Sequence, residues 1–103
     1  MPSGMAFLVG KESNPMSEDR RIAAVSILVE NPDSVEPLNA ILHEYSAYIL
    51  GRMGVPYRER DISIICLAMD APMDVINTMT GRLGRLPGIG AKAAVSKRAS
   101  AEE

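Results

Sequence analysis

The sequence predicts an α+β sandwich of the ferredoxin-like kind, a four-stranded antiparallel sheet built in the order βαββαβ with two helices on one face. Three observations carry that expectation. "RIAAVSILVE" (21–30) and "DISIICLAMD" (61–70) are rich in β-branched residues, free of Gly and Pro, and apolar on both alternating faces. Each run is followed by a stretch of helical periodicity, and each helical stretch by a weaker strand, over 48–57 and 89–97. In this topology the first and third strands occupy the sheet centre, and they are the two most apolar strands of the chain.

In the first strand, Ala23, Val25, Ile27 and Val29 form one face, and Ile22, Ala24 and Leu28 the other, broken only by Ser26. Both faces call for cover. "NPDSV" turns the chain into the first helix. Ser34 is the expected N-cap, because Pro37 then falls at the third helical position, where no intrahelical N–H bond is lost. Val35, Leu38, Ile41, Leu42 and Tyr45 share one stripe, with His43 opposite, and the helix ends before Gly51.

The second helix begins with Pro72 at its first position and stops at Pro87-Gly88. Its core face is Val75, Ile76, Met79, Leu83 and Leu86. Gly81 and Gly84 lie off that face, at a cost of about 1 kcal/mol each relative to Ala. They mark either an early helix end with loose last turns or a close approach of bare backbone to a ligand or subunit. The loose end is the simpler expectation.

With 103 residues the chain holds one domain, expected over 19–98, between a polar tail at 1–18 and a short tail at 99–103. "MAFLV" (5–9) could add a short strand. Only four residues are aromatic, Phe7, Tyr45, Tyr48 and Tyr57, so the core is aliphatic and methionine-rich. A net charge of −2 supplies no field to attract nucleic acid. Cys66 is the only cysteine, which rules out an intramolecular disulfide and suits a reducing compartment. No stretch approaches the roughly 20 apolar residues of a membrane helix. A cytoplasmic protein is expected.

Residue chemistry argues against an enzyme. His43 is the only histidine; with Cys66 it cannot complete a nitrogen and sulfur shell, so no nickel or zinc site and no cofactor is expected. No serine elbow or phosphate-binding loop is present, and Asp70 and Asp74 are placed to favour a helix N-terminus. "GRMGVPYRER" (51–60) has two readings. It is an edge strand and its turn, where Gly51, Gly54 and Pro56 are tolerated, or it is a contact site anchored by Arg52, Tyr57 and Arg58.

"ILHEYSAYILGRMGVPYRERDISIICLAMDA" followed by "INTMTGRLGRLPGIGAK" resembles the iron-only hydrogenase system regulators, small proteins similar to the ACT domain and to the C-terminal domain of nickel-responsive regulators. The resemblance runs from about Arg21 to Lys97. It implies an ACT-like fold, a regulatory role beside iron-only hydrogenase, a homodimer or homotetramer, and a small-molecule effector or partner protein. It also implies a ligand site at a subunit interface near the turn between first strand and first helix. Here that turn carries Asn31, Asp33 and Ser34, with Arg52, Tyr57 and Arg58 as the anchors, one arginine reaching over from a neighbouring edge. Gly51, Gly54, Gly81 and Gly84 are the candidate positions for close approach. A metal-responsive or DNA-associated transcriptional regulator is the alternative. It would need a basic DNA-reading element and a histidine-rich shell, and the sequence shows neither.

Overall fold

In a computed structural model, which describes residues 20–97, the elements run β1 (Arg20–Val29), α1 (Val35–Glu44), β2 (Ile49–Tyr57), β3 (Ile62–Pro72), α2 (Met73–Gly84) and β4 (Ile89–Val95). The four strands form one antiparallel sheet in the order β2-β3-β1-β4. The two runs apolar on both faces are thus the two central strands, as the sequence predicts. The tails and the "MAFLV" segment lie outside the described residues.

The pleat decides which residues are buried. Along β1 burial alternates without interruption, so that Ala23, Val25, Ile27 and Val29 enter the core while their even-numbered neighbours face outward. Ile65, Leu67, Met69 and Ala71 do the same on β3. Both helices lie on this one side, contributing Leu38, Ile41 and Leu42 from α1 and Ile76, Met79 and Leu83 from α2. Val35 is the member of the expected α1 stripe that stays exposed, and His43 faces solvent.

Three details of the expected boundaries differ. A 3₁₀ turn over Pro32–Ser34 precedes α1, capped by Asn31, whose Oδ1 accepts from the Asp33 N–H at 2.9 Å. Ser34 makes no capping bond; its hydroxyl is buried and donates instead to the Pro87 carbonyl at 2.6 Å. A tertiary acceptor has displaced the local one. Pro72 closes β3 and stands at the N-cap of α2, one residue earlier than expected. The helix continues through Gly81 and ends at Gly84, ahead of the expected stop at Pro87-Gly88, with its last turn formed rather than loose.

At their C-terminal ends the helices are fastened together. Arg82 donates from Nη1 to Glu44 Oε1 at 2.8 Å and from Nη2 to Oε2 at 3.1 Å, and its Nη1 lies 3.3 Å from the Tyr45 hydroxyl. The guanidinium also sits 5.7 Å from the Tyr45 ring centroid. Hydrogen bonding and charge from Arg82 hold the Glu44 carboxyl below its ordinary range. A depressed folded pKa means stability that is present at neutral pH and lost as pH falls through that value. Glu44→Gln is therefore expected to melt below the wild type at neutral pH, with the gap closing on acidification below the ordinary glutamate range. Melting curves across that range check it, and a gap that stays constant would remove Glu44 from the acid response.

Candidate functional site

Between α1 and the β2 edge the core does not close. The side chains that β2 turns toward the helices are Arg52, Gly54 and Pro56, paired in register with Leu67, Ile65 and Ser63. Gly54 has no side chain, and a Cβ built there would meet nothing within 4 Å. A groove therefore runs along α1, in three parts, each sharing lining residues with the next. The first, of about 390 Å³, lies beside the β1–α1 turn and the β2–β3 turn, among Val29, Glu30, Pro32, Tyr57, Arg58 and Asp61. The second, of about 290 Å³, has an apolar floor of Val29, Leu38 and Ile65. The third, of about 340 Å³, lies at the end of α1 beside His43, Ser46 and Ile49.

The rim is polar. Arg52 crosses the groove, its Nη2 donating to Asn39 Oδ1 on α1 at 3.2 Å. At the open end the Tyr57 hydroxyl donates to Glu59 Oε1 at 2.8 Å, and this bond raises the phenol pKa. Asp61, in the left-handed conformation with φ 57°, turns the chain from Arg58–Arg60 into β3. An apolar floor with two arginines on the rim suits a ligand having an apolar body and an anionic or polar end.

The structure gathers some expected residues and separates others. Arg58 and Tyr57 lie in the same pocket as Glu30 and Pro32 of the β1–α1 turn, within one chain. Arg52 lines the adjoining part. Ser34 is committed to Pro87, and the Asn31 carbonyl oxygen to its own turn. Asp33 is exposed on that turn. Gly51, Gly81 and Gly84 are exposed, and a Cβ at any of them would meet nothing within 4 Å, so no close approach exists inside the chain. His43 lies on the helix layer and Cys66 on the opposite face of the sheet. Among the described residues no group of three or more His, Cys, Asp and Glu is placed to hold a metal ion. None of the described helices is long and apolar enough to cross a membrane.

Asn39 is a groove residue that the sequence did not single out, and Gly54 was expected as a position of close approach rather than as an open space. Asn39 is one more polar residue on an exposed helix flank, and nothing local points across to Arg52. Gly54 reads as an edge-strand glycine, which it is. Its effect on the space above β2 depends on α1, brought there by tertiary packing.

The motif "GRLGRLPG" also finds its place. Gly88 adopts φ 70°, and a Cβ there would stand 2.6 Å from Asn31 Cβ. Its carbonyl accepts the Glu30 N–H at 2.8 Å, beside the Ser34–Pro87 bond. The passage from α2 to β4 thus holds the β1–α1 turn at the mouth of the groove.

Comparison with known proteins agrees with this architecture. TM1266 from Thermotoga maritima, a solved structure, is similar at 32% identity and a TM-score of 0.73, covering 76% of this chain and 99% of that one. No curated protein matches the chain. Residues 21–93 match the TM1266-like family, described as iron-only hydrogenase system regulators, and the match spans most of the chain, both central strands and both helices included. The chain belongs to the TM1266-like iron-only hydrogenase system regulator family.

Proposed function

We propose that the chain is a non-enzymatic regulatory module of the iron-only hydrogenase system. On this reading it works in the cytoplasm as a homodimer or homotetramer and takes a small-molecule effector, or a segment of a partner protein, in the groove between α1 and β2. The observation that carries the reading is Gly54, which leaves the space above β2 open while Arg52 and Arg58 stand on its rim. The family description supports the regulatory role. Of the β1–α1 turn, Glu30 and Pro32 line the groove mouth, while Asn31, Asp33 and Ser34 belong to the turn and not to the groove lining.

Thermal-shift screening against amino acids, nucleotides and divalent metals is the first test. Amide shifts on titration with any stabilising compound are expected to cluster in residues 30–34, 39 and 51–58. Gly54→Leu, which puts a side chain into the groove, is expected to leave the fold intact and weaken binding about tenfold or more. Shifts clustered elsewhere, with Gly54→Leu binding normally, would move the site; no stabilising compound at all would leave only the partner-protein reading.

A further inference from the structure

Among the described residues nothing covers the face of the sheet away from the helices, and that face is apolar. Met53 is 60% exposed there, Ile22 48%, Val55 47%, Leu28 45% and Ile64 37%. Four strands at ~4.8 Å spacing and about eight residues at ~3.3 Å rise give roughly 500 Å² of flat sheet. Side-chain relief brings that near the ~800 Å² per partner of a standard interface. On a monomer a patch of this size marks a contact site.

The strand registers show what fits it. Across the middle runs the row Met53, Cys66, Ser26 and Lys92. On one side lies a row with three bulky members, Val55, Ile64, Leu28 and then Gly90. On the other lies a row of small residues, Gly51, Ala68, Ala24 and Ala94. A two-fold axis running along the middle row, across the strands, lays the bulky row of one copy on the small row of the other. Leu28 then meets Ala24, Ile64 meets Ala68, and Val55 meets Gly51. Lys92, the one charge in these rows, is on edge strand β4, where its ammonium reaches water past the rim. The usual crossing of about 30° between stacked sheets carries the two edges apart and separates the two lysines.

We infer that a second copy of this chain stacks sheet-on-sheet over this face, about a two-fold axis through the row of Cys66 and Ser26. The inference rests on the proposal that the chain is a homo-oligomer and names the surface and symmetry that make it one. It also gives Cys66 a definite place, facing its equivalent across the axis.

Cys66 is the only thiol, so chemistry can read the axis directly. Stacked sheets lie ~10 Å apart, whereas a disulfide needs Cα atoms about 5.5–6 Å apart. Buried on the axis, Cys66 is therefore expected to resist both mild oxidation and maleimide while the oligomer is intact, and to react fully with maleimide on dissociating dilution. Ile64→Ala and Ala68→Ile are each expected to weaken association about tenfold, one by leaving a gap and the other by crowding. The double variant exchanges bulk between the two rows and is expected to recover most of the loss. Each variant is checked for an unchanged melting temperature under dissociating dilution, and the protection of Cys66 in the unaltered protein is independent of all of them. An oligomer by light scattering that neither protects Cys66 nor responds to these variants would overturn the axis and leave the oligomer standing. A monomer at micromolar concentration would overturn both.

Discussion

Gly88→Ala is expected to destabilise the fold by about 3 kcal/mol, from two causes that act together. A left-handed backbone costs a non-glycine residue about 1 kcal/mol, and here the new methyl would also stand 2.6 Å from Asn31 Cβ and 3.0 Å from its backbone nitrogen. Neither neighbour is the free end of a flexible side chain. Relief requires moving the β1–α1 turn, which the Glu30–Gly88 and Ser34–Pro87 hydrogen bonds hold in place. For a domain of this size 3 kcal/mol lowers the melting temperature by roughly 12–24 °C. Gly81→Ala, inside α2, is the control. Its Cβ would meet nothing, and in a helix Ala gains about 1 kcal/mol over Gly. If both variants melted alike, the geometric account of Gly88 would be wrong.

Two neighbouring residues of β1 give the other large effect. Ile27 is fully buried between the sheet and both helices, and Leu28 is 45% exposed on the opposite face. Ile27→Ala is expected to cost about 3–4 kcal/mol, combining lost transfer energy with a cavity that a central strand cannot collapse around. Leu28→Ala removes a methylene-rich side chain of similar size, yet should leave the melting temperature of the dissociated chain within a few degrees. Chemical denaturation of both, at a concentration low enough to dissociate any oligomer, measures the difference. Equal losses would mean that Leu28 is covered within its own chain.

The fold was legible because two independent patterns agree in this sequence. The apolar runs at 21–30 and 61–70 announce central strands, and the 3.6-residue stripes through Leu38, Ile41 and Leu42 and through Ile76, Met79 and Leu83 announce helices on one side of them. Boundaries were missed where a distant partner overrode a local preference. Ser34 has the chemistry of an N-cap, but Pro87, far along the chain, offers its hydroxyl a buried acceptor. Gly81 and Gly84 suggest a fraying helix, yet Met79 and Leu83 bury the opposite side and hold the turns closed. The groove was legible only in part. Arg52, Tyr57 and Arg58 stand out by composition, whereas Asn39 and the role of Gly54 depend on where α1 comes to rest over β2.

The strand order has a consequence for how the chain comes into being. Strand β1 precedes every partner it will have. Val29 pairs with Ser63 and Arg20 with Pro72, and on its other edge Val29 pairs with Ile89 and Ala23 with Val95. As the polypeptide emerges during synthesis, a segment apolar on both sides must wait, unpaired, until most of the molecule has followed it. Only β2 and β3 form a hairpin with their nearest strand in sequence. Closing the sheet therefore depends on long loops and is slow relative to helix formation. Arg20 and Arg21 at its start and Glu30 just after it put charges at both ends of this segment, the placement that discourages nascent chains from pairing with one another.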